Sequence, residues 1–290
     1  MKFKFLYFSI LIFILSCQNK ENTYFKSIAV NDVKLSRPHS SEWRYNHKEK
    51  LQTFDDFKKL KKIKPEAERN IIYLQPIGEF NDLQEKQIKL TKEYLKIYFQ
   101  LETKILSNIS NEIFPKNVRR ISKNGQEQIL AGYILDSVLI KRKPKDAVVL
   151  MGITEKDLFP KPEWNYVFGL ASYQNGVGVT SMYRFADGNN LSESNFNKSL
   201  ERLIKISSHE IGHMFGISHC LNSNCVMNGT NSLNETDVHF ARACSLCQYK
   251  LNSSLKYDDK KRLLELKKFF EENYFNAELS RAEKDLNLIQ

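Results

Sequence analysis

Three absences narrow the class of this 290-residue sequence. No internal repeat is visible, so a solenoid or another repeat architecture is excluded. The N-terminal apolar run, Phe5 to Leu15, is too short to cross a bilayer as a permanent helix. No basic motif is interleaved with aromatic residues, which argues against nucleic-acid binding in spite of a net charge of +10. The lysines are scattered among glutamates, which favours a solvated surface or weak attraction to anionic headgroups.

Cysteine is also scarce, and its distribution is uneven. Only five cysteines are present; Cys17 stands alone, and the other four follow one histidine-rich stretch. Hydrophobic residues make up 41% of the sequence and charged residues 27%. This composition is globular rather than disordered, and the chain is long enough for one large domain or two modest ones with a sizeable core.

The N-terminus is typical of a processing signal. Lys2 and Lys4 precede the apolar run, which closes on Ser16 and Cys17. This order resembles a bacterial lipoprotein signal, in which cleavage before the cysteine leaves that residue to be acylated. We therefore expect residues 1–16 to be a signal peptide and Cys17 to anchor the protein by lipid to a membrane of the bacterial cell envelope. An ordinary secretory signal or an uncleaved anchor is the alternative.

The rest of the chain divides by composition into four segments. The first is polar and lacks periodicity, which predicts a tether. The second holds aromatic residues that suit a short arm packed on the main domain. The predicted segments are a tether at 17–40, an N-terminal arm at 41–69, a main domain at 70–253 and a C-terminal helical extension at 254–290.

The pattern of apolar residues in the main segment alternates between strand and helix periods. The predicted elements are, in order, a strand at 71–78, a helix at 81–97, a strand at 99–105, a helix at 125–140, strands at 147–154, 165–173 and 176–185, and a helix from Ser194 or Asn195 to about Phe215. This order predicts an α/β domain with a mixed sheet. Residues 216–253 show little periodicity, so something other than a hydrophobic core must order them.

The sequence HEIGHMFGISHC, His209 to Cys220, carries the pattern of a catalytic metal site. His209 and His213 are four residues apart, so both imidazoles lie on one face of a helix and can reach one metal. Gly216 suits the reversal that ends the helix and returns His219 as a third ligand. Three histidine ligands leave a fourth position for water, as in catalytic zinc sites. Glu210, offset around the helix, is placed to act as the general base.

The four later cysteines form two closely spaced pairs. Four residues separate Cys220 from Cys225, two separate Cys244 from Cys247, and eighteen lie between the pairs. This spacing suits four thiolates around a tetrahedral, structural zinc, which would also order the surrounding segment. Two disulfides are the competing interpretation, because an exported lipoprotein meets an oxidising compartment.

These motifs together resemble the archaemetzincins, a family of metzincin-type zinc metallopeptidases. The pattern His-Cys-x4-Cys-x-Met, from His219 to Met227, is much more specific than H-E-x-x-H alone. The segments Asp157 to Ser172 and Gly176 to Arg184 also look like those of the family. The resemblance covers about residues 41–250.

The resemblance implies a metzincin-like (zincin) fold with a mixed sheet, an active-site helix and a four-cysteine zinc knuckle. It implies two Zn²⁺ ions, one catalytic and one structural, with Met227 in the Met-turn beneath the catalytic zinc. It further implies peptide hydrolysis, aminopeptidase-like activity on small peptides, and an extended substrate along the 176–185 strand. Tyr183, Arg184 and Tyr249 are candidates for stabilising the oxyanion.

The leading hypothesis is a lipid-anchored, monomeric zinc metallopeptidase that acts on a peptide or protein substrate and binds no nucleic acid. Its main support is Glu210, which a purely structural zinc site would not need. The alternative is a catalytically inactive, metal-stabilised binding protein of the envelope. A nucleic-acid binder that uses the cysteine knuckle fits poorly with an export signal.

Overall fold

The structure of the chain is a computed structural model that describes residues 23–186 and 190–289. The predicted signal peptide and Cys17 lie outside the described residues. Within those ranges, no helix is long and apolar enough to cross a membrane.

The described residues form two β-sheets. Their strands are β1 (Ile71–Ile77), β2 (Thr103–Ile105), β3 (Arg119–Ile121), β4 (Glu127–Leu130), β5 (Ala147–Thr154), β6 (Asp157–Phe159), β7 (Gly169–Ser172) and β8 (Val177–Ser181). The main sheet has the order β2-β1-β5-β8-β7, and the smaller sheet has the order β3-β4-β6. In the main sheet, every neighbouring pair is parallel except β7 with β8. This is the mixed sheet that the sequence predicts.

Helices surround the main sheet in the described ranges. They are α1 (Trp43–Asn46), α2 (Phe54–Lys59), α3 (Asp82–Phe99), α4 (residues 131–142, with a π-helical middle at Ile134–Leu139), α5 (Phe196–Met214), α6 (Leu233–Val238), α7 (Ser245–Leu255), α8 (Asp259–Glu272) and α9 (Asn276–Asn287). Short 3-10 turns lie at Ala29–Asn31, Asn111–Ile113 and Lys116–Val118. The predicted strands 71–78 and 147–154 and the helices 81–97 and 195–215 are therefore confirmed.

Two hydrophobic cores lie on opposite faces of the main sheet, since side chains alternate along each strand. Ile72 and Leu74 of β1 face the larger core, which α3 and α5 cover. Tyr73 and Ile77 of the same strand face the smaller core, which α4 covers. Helix α5 packs on β7, β8 and α3. This packing holds the predicted active-site helix against one edge strand of the sheet, β7.

Strand β7, and not the strand predicted to run beside a substrate, lies at one edge of the main sheet. Strand β8, which lies within predicted strand 176–185, pairs with β5 on one side and β7 on the other. Both of its backbone edges are therefore used, so the prediction that a peptide pairs along it is wrong. Strand β7 is the last strand of the sheet order, and its outer edge faces away from β8.

Other predicted elements are right only in part. Helix α3 continues to Phe99 and ends at Gln100 with φ of 48°, so the strand predicted from residue 99 is shortened to β2. The helix predicted at 125–140 begins as β4, because this segment pairs with β3 and β6 in the smaller sheet. The segment after residue 216 contains α6 and α7 as well as irregular chain.

Part of the segment predicted to be a tether is packed on the body instead. Residues 23–28 are helical, and Phe25 and Ile28 are buried. Asp32 accepts hydrogen bonds from the Ser245 backbone and hydroxyl groups and forms an ion pair with Arg242. The apolar pair is only three residues apart, which is too short a pattern to stand out in a polar sequence. Residues 23–28 and Asp32 therefore pack on the body and do not form the predicted tether.

The C-terminal helices are part of the same core as the active-site helix. Leu266, Phe269 and Phe270 of α8 are buried in the larger core, and Ala282 of α9 joins them. The helical nature of this segment agrees with the prediction. The segment is part of the larger core and is not a separate extension.

Candidate active site

The three histidines of the motif lie together at the end of α5. His209 and His213 are one helical turn apart, and their ring centroids are 4.4 Å apart. Gly216 has φ of 90° and ends the helix, after which His219 returns to within 5.3 Å of His209 and 4.9 Å of His213, between ring centroids. One nitrogen from each ring lies within 4.8 Å of the other two, a separation that one metal ion can bridge.

Hydrogen bonds determine which nitrogen of each ring is free. His209 Nδ1 lies 2.8 Å from the carbonyl oxygen of Val226, and His213 Nδ1 lies 2.6 Å from that of Ile217. A carbonyl oxygen only accepts, so each Nδ1 carries the hydrogen and each Nε2 keeps its lone pair. His219 Nδ1 lies 2.7 Å from Glu49 Oε1, which leaves its Nε2 free in the same way. Three Nε2 lone pairs suit a zinc ion.

Burial keeps the helical imidazoles neutral. It lowers the pKa of His209 to about 3 and lowers the pKa of His213 well below its ordinary value. Desolvation is the first cause for both, because it penalises the charged ring. Neutral imidazole is the form that binds a metal, so the donor set fits zinc at neutral pH.

The Glu210 carboxylate lies beside the histidines and against the edge strand. A methyl group built at Gly169 of β7 would lie 2.5 Å from Glu210 Oε1 and 2.8 Å from Cγ, so only glycine leaves room for this side chain. Burial raises the pKa of Glu210 to about 8. Within the described chain, this carboxylate accepts no hydrogen bond from the protein. It is therefore a desolvated acid or base without a structural partner.

A cavity of about 620 Å³ opens over these residues. Strand β7 forms one wall, and Trp43 and Trp164 line it as well. Glu210 and all three histidines line the same cavity. A volume of this size accommodates a small ligand or a short stretch of peptide.

The four cysteines converge on a second point. Cys220, Cys225, Cys244 and Cys247 are buried free thiols whose sulfur atoms lie within 4.8 Å of one another. Cys220 Sγ and Cys244 Sγ are 3.7 Å apart, which is far longer than a disulfide bond of about 2.0 Å. Cys225 Sγ also accepts hydrogen bonds from the backbone N–H groups of Met227 and Cys244. These backbone donors would stabilise negative charge on the sulfur atom of a metal-bound thiolate.

The charge balance of the cluster also suits a cation. Hydrogen bonds from Cys225, Cys244 and Cys247 lower the pKa of Cys220. Burial raises the pKa of Cys225, and hydrogen bonding with Cys220 raises that of Cys247. Several negative charges in one buried cluster repel one another, which opposes the ionisation of all the thiols together. Four thiolates require a divalent cation, and tetrahedral sulfur ligation is what structural zinc prefers.

One loop joins the two clusters. Cys220 N donates to Met227 O at 2.7 Å, and the intervening Val226 supplies the carbonyl that orients His209. Met227 packs against α5, where a methyl group built at Gly212 would lie 2.5 Å from its sulfur atom. The predicted Met-turn residue thus lies against the helix between two of the histidines.

Comparison with known proteins agrees with this arrangement. A model of peptidase family M54 matches residues 84–253. Archaemetzincin-2 of Rattus norvegicus is 32% identical over 265 residues, which cover 80% of this chain and 73% of that protein. The archaemetzincin of Thermococcus kodakarensis is 31% identical over 188 residues, which cover 64% and 97% of the two chains.

This chain belongs to peptidase family M54, the archaemetzincins. The crystal structure of archaemetzincin from Methanopyrus kandleri superposes on it with a TM-score of 0.54 at 27% identity, over 67% of this chain and 99% of that one. The chain is therefore a zinc metallopeptidase, a hydrolase, with the α/β metzincin-like fold that the sequence predicts. The family resemblance drawn from the motifs is confirmed.

The residues predicted to stabilise the oxyanion lie elsewhere in this archaemetzincin. Within the described chain, Tyr183, Arg184 and Tyr249 are absent from the cavity lining. Arg184 forms two hydrogen bonds with the buried Asp157 carboxylate, at 2.8 and 2.6 Å. The Tyr249 ring stacks on Phe54, with centroids 4.1 Å apart. Arg184 and Tyr249 are thus committed to structural contacts.

The sequence does not predict that three further residues contact the histidines. The Tyr173 hydroxyl lies 2.8 Å from His213 Nδ1, and burial, followed by the Glu210 charge, raises the pKa of Tyr173. Glu49 contacts His219, and Trp43 packs edge-on to the same ring at 5.1 Å between centroids. These residues carry no local motif, because they reach the histidines only through the fold.

Gly169→Ala should lower kcat/KM on a peptide substrate by about 100-fold, because the added methyl group displaces the Glu210 carboxylate from the cavity. Steady-state kinetics measures this, and thermal melting reports on the fold. Gly132→Ala is the matched control, since no atom lies within 4 Å of the methyl group built there. Full activity in Gly169→Ala would show that the position of Glu210 against β7 is unimportant.

Proposed function

We propose that this enzyme hydrolyses peptide bonds with zinc held by His209, His213 and His219 and with Glu210 as the general base. The observation that carries the proposal is the Glu210 carboxylate, which is buried, lines the cavity and lies next to three convergent imidazoles. A purely structural metal site does not require a desolvated carboxylate beside it.

The chemistry divides between the metal and the chain. Zinc bound by the three imidazoles would supply a Lewis acid that polarises a peptide carbonyl and lowers the pKa of water. Glu210 would accept a proton from the attacking water and then donate it to the leaving amine. The backbone carbonyls of Val226 and Ile217 would keep His209 and His213 in the orientation and tautomer that expose Nε2.

The four cysteines would hold a second, structural zinc. Their convergence, their burial and the N–H donors to Cys225 support this proposal. A closed shell of four protein ligands leaves no position for water, so this metal would stabilise the loop rather than react.

An extended peptide would pair with the outer edge of β7. Strand β7 is one of the two edge strands of the main sheet, and the cavity lies along its outer edge. Main-chain hydrogen bonds to an exposed strand give affinity for any extended sequence. Aminopeptidase-like cleavage stays a prediction, and a peptide panel with free and acetylated N-termini measures it.

We also propose that the protein is a monomer anchored by lipid at Cys17 to a membrane of the bacterial cell envelope. The processing signal in the sequence supports the anchor. The described body begins at residue 23, and residues 18–22 lie between it and Cys17 in the sequence. Such a connection would hold the enzyme close to the membrane surface.

Glu210→Gln should lower the rate of peptide hydrolysis by about 10²–10⁴-fold, because the amide cannot accept the proton. Its zinc content should equal that of the wild type, since Glu210 is not a ligand. Glu93→Gln, on the exposed face of α3, is the matched control and should retain full activity. Equal hydrolysis by the wild type and Glu210→Gln, insensitive to chelator, would favour the envelope binding protein without catalysis.

Elemental analysis should find two zinc ions per chain in the wild type and one in Cys225→Ser. Loss of one thiolate opens the structural shell, and the variant should also melt at a lower temperature. A thiol titration after denaturation accompanies the metal count. One zinc together with no free thiols in the wild type would contradict the second site and support disulfides.

Cys17→Ser should move the protein from the membrane fraction to the soluble fraction, because serine cannot be acylated in place of the thiol. Fractionation followed by immunoblotting measures the shift, and peptidase activity of the released protein should be unchanged. A variant that still sediments with membranes would refute the lipid anchor.

A further inference from the structure

We propose that Glu49, a residue of the N-terminal arm at 41–69, positions His219 as a metal ligand, so that the arm completes the catalytic metal site. The inference rests on the proposed function, in which the three histidines bind zinc. It assigns Glu49 a positioning role, because its carboxylate would act through the imidazole and not on the metal or the substrate.

The carboxylate is held between two groups. Glu49 Oε1 lies 2.7 Å from His219 Nδ1, across a sequence separation of 170 residues. Glu49 Oε2 accepts a hydrogen bond from Trp43 Nε1 at 3.2 Å. Trp43 stacks on His47 with ring centroids 3.6 Å apart, which holds the indole in place. The carboxylate therefore has one defined orientation toward the imidazole.

His219 has more need of such a partner than the other two histidines. His209 and His213 lie on α5, where the helix directs their side chains and backbone carbonyls orient their rings. His219 follows the end of the helix on irregular chain, and its side chain is 17% exposed. Of the three rings, it alone has a carboxylate partner at Nδ1 rather than a backbone carbonyl.

The arm also holds the backbone that carries His219. The buried Gln52 side chain donates to Gly216 O at 2.9 Å and accepts from Ser218 N at 3.3 Å. Lys250 of α7 donates to both the backbone and side-chain oxygens of Gln52, at 2.6 and 3.0 Å. Through Gln52, the arm is thus hydrogen-bonded both to α7 and to the backbone at Gly216 and Ser218, just before His219.

A second attachment fixes Trp43 on the loop that follows the Met-turn. Trp43 N donates to Glu235 Oε1 at 3.0 Å, and the other oxygen of Glu235 accepts from Asn231 N. A methyl group built at Gly229 would lie 2.5 Å from the Trp43 ring, so this glycine makes room for the indole. The loop surface is shaped to receive the arm.

The physical consequence is a gain in metal affinity. A carboxylate that accepts the Nδ1 hydrogen fixes the ring orientation and makes Nε2 a stronger base, and losing such a partner costs about 10–100-fold in metal affinity. The effect should be confined to the histidine site, because the Glu49 carboxylate hydrogen-bonds with Trp43 and His219 and with none of the four cysteines. An effect on one metal and not on the other distinguishes positioning from general stability.

The test measures the metal affinity of the two sites separately in the purified full-length protein. Cobalt titration with chelator competition distinguishes them, because thiolate ligands give a sulfur-to-metal charge-transfer band that imidazoles lack. Glu49→Ala should lower the cobalt affinity of the histidine site by about 100-fold, and Glu49→Gln by about tenfold, since the amide oxygen still accepts the hydrogen bond. Glu66→Gln, an exposed carboxylate of the same arm, should match the wild type.

Two results would overturn the proposal. One is wild-type affinity of the histidine site in both Glu49 variants. The other is an equal loss at both sites in Glu49→Gln, since that would mean that Glu49 stabilises the fold and does not position His219. A wild-type protein that binds no metal at the histidines would instead refute the proposed function, so the two failures are distinguishable.

Discussion

The hydrogen bond between Cys220 N and Met227 O closes the loop on which both clusters depend. The loop holds two of the four cysteines, Cys220 and Cys225. It also holds Val226, whose carbonyl orients His209, and Met227, which packs against α5. A change in the position of this loop would move ligands of both sites together. One short stretch of backbone thereby positions both the histidine cluster and the cysteine cluster, and a metal bound by the cysteines would act on the histidine cluster through it.

Glycines supply the close approaches that this geometry needs. Gly169 admits Glu210 against the edge strand, Gly212 admits Met227 beneath the helix, and Gly229 admits Trp43 onto the loop. In each case a single methyl group would lie within 2.5 Å of the partner, which no real side chain tolerates. Each of these close contacts is possible because one of the two residues is a glycine, which has no side chain.

Much of the fold could be predicted because its signals are local. The apolar, β-branched runs of β1 and β5 and the long periods of α3 and α5 appear in the structure close to their predicted bounds. The failures occur where tertiary pairing overrides the local pattern. Residues 127–130 form a strand because they pair with β3 and β6. Residues 23–28 form a helix on the body because Phe25 and Ile28 are buried there.

The sequence by itself determined the family and the two clusters of candidate ligands, since a four-residue helical spacing, a helix-ending glycine and two cysteine pairs need no distant partner to be recognised. Only the tertiary structure decided that β7 and not β8 offers a free edge, that Tyr173 contacts His213, and that Glu49 meets His219. The physical reason is the same in each case. Strand order and contacts between residues as far as 170 positions apart come from the packing of whole elements, which no local period encodes.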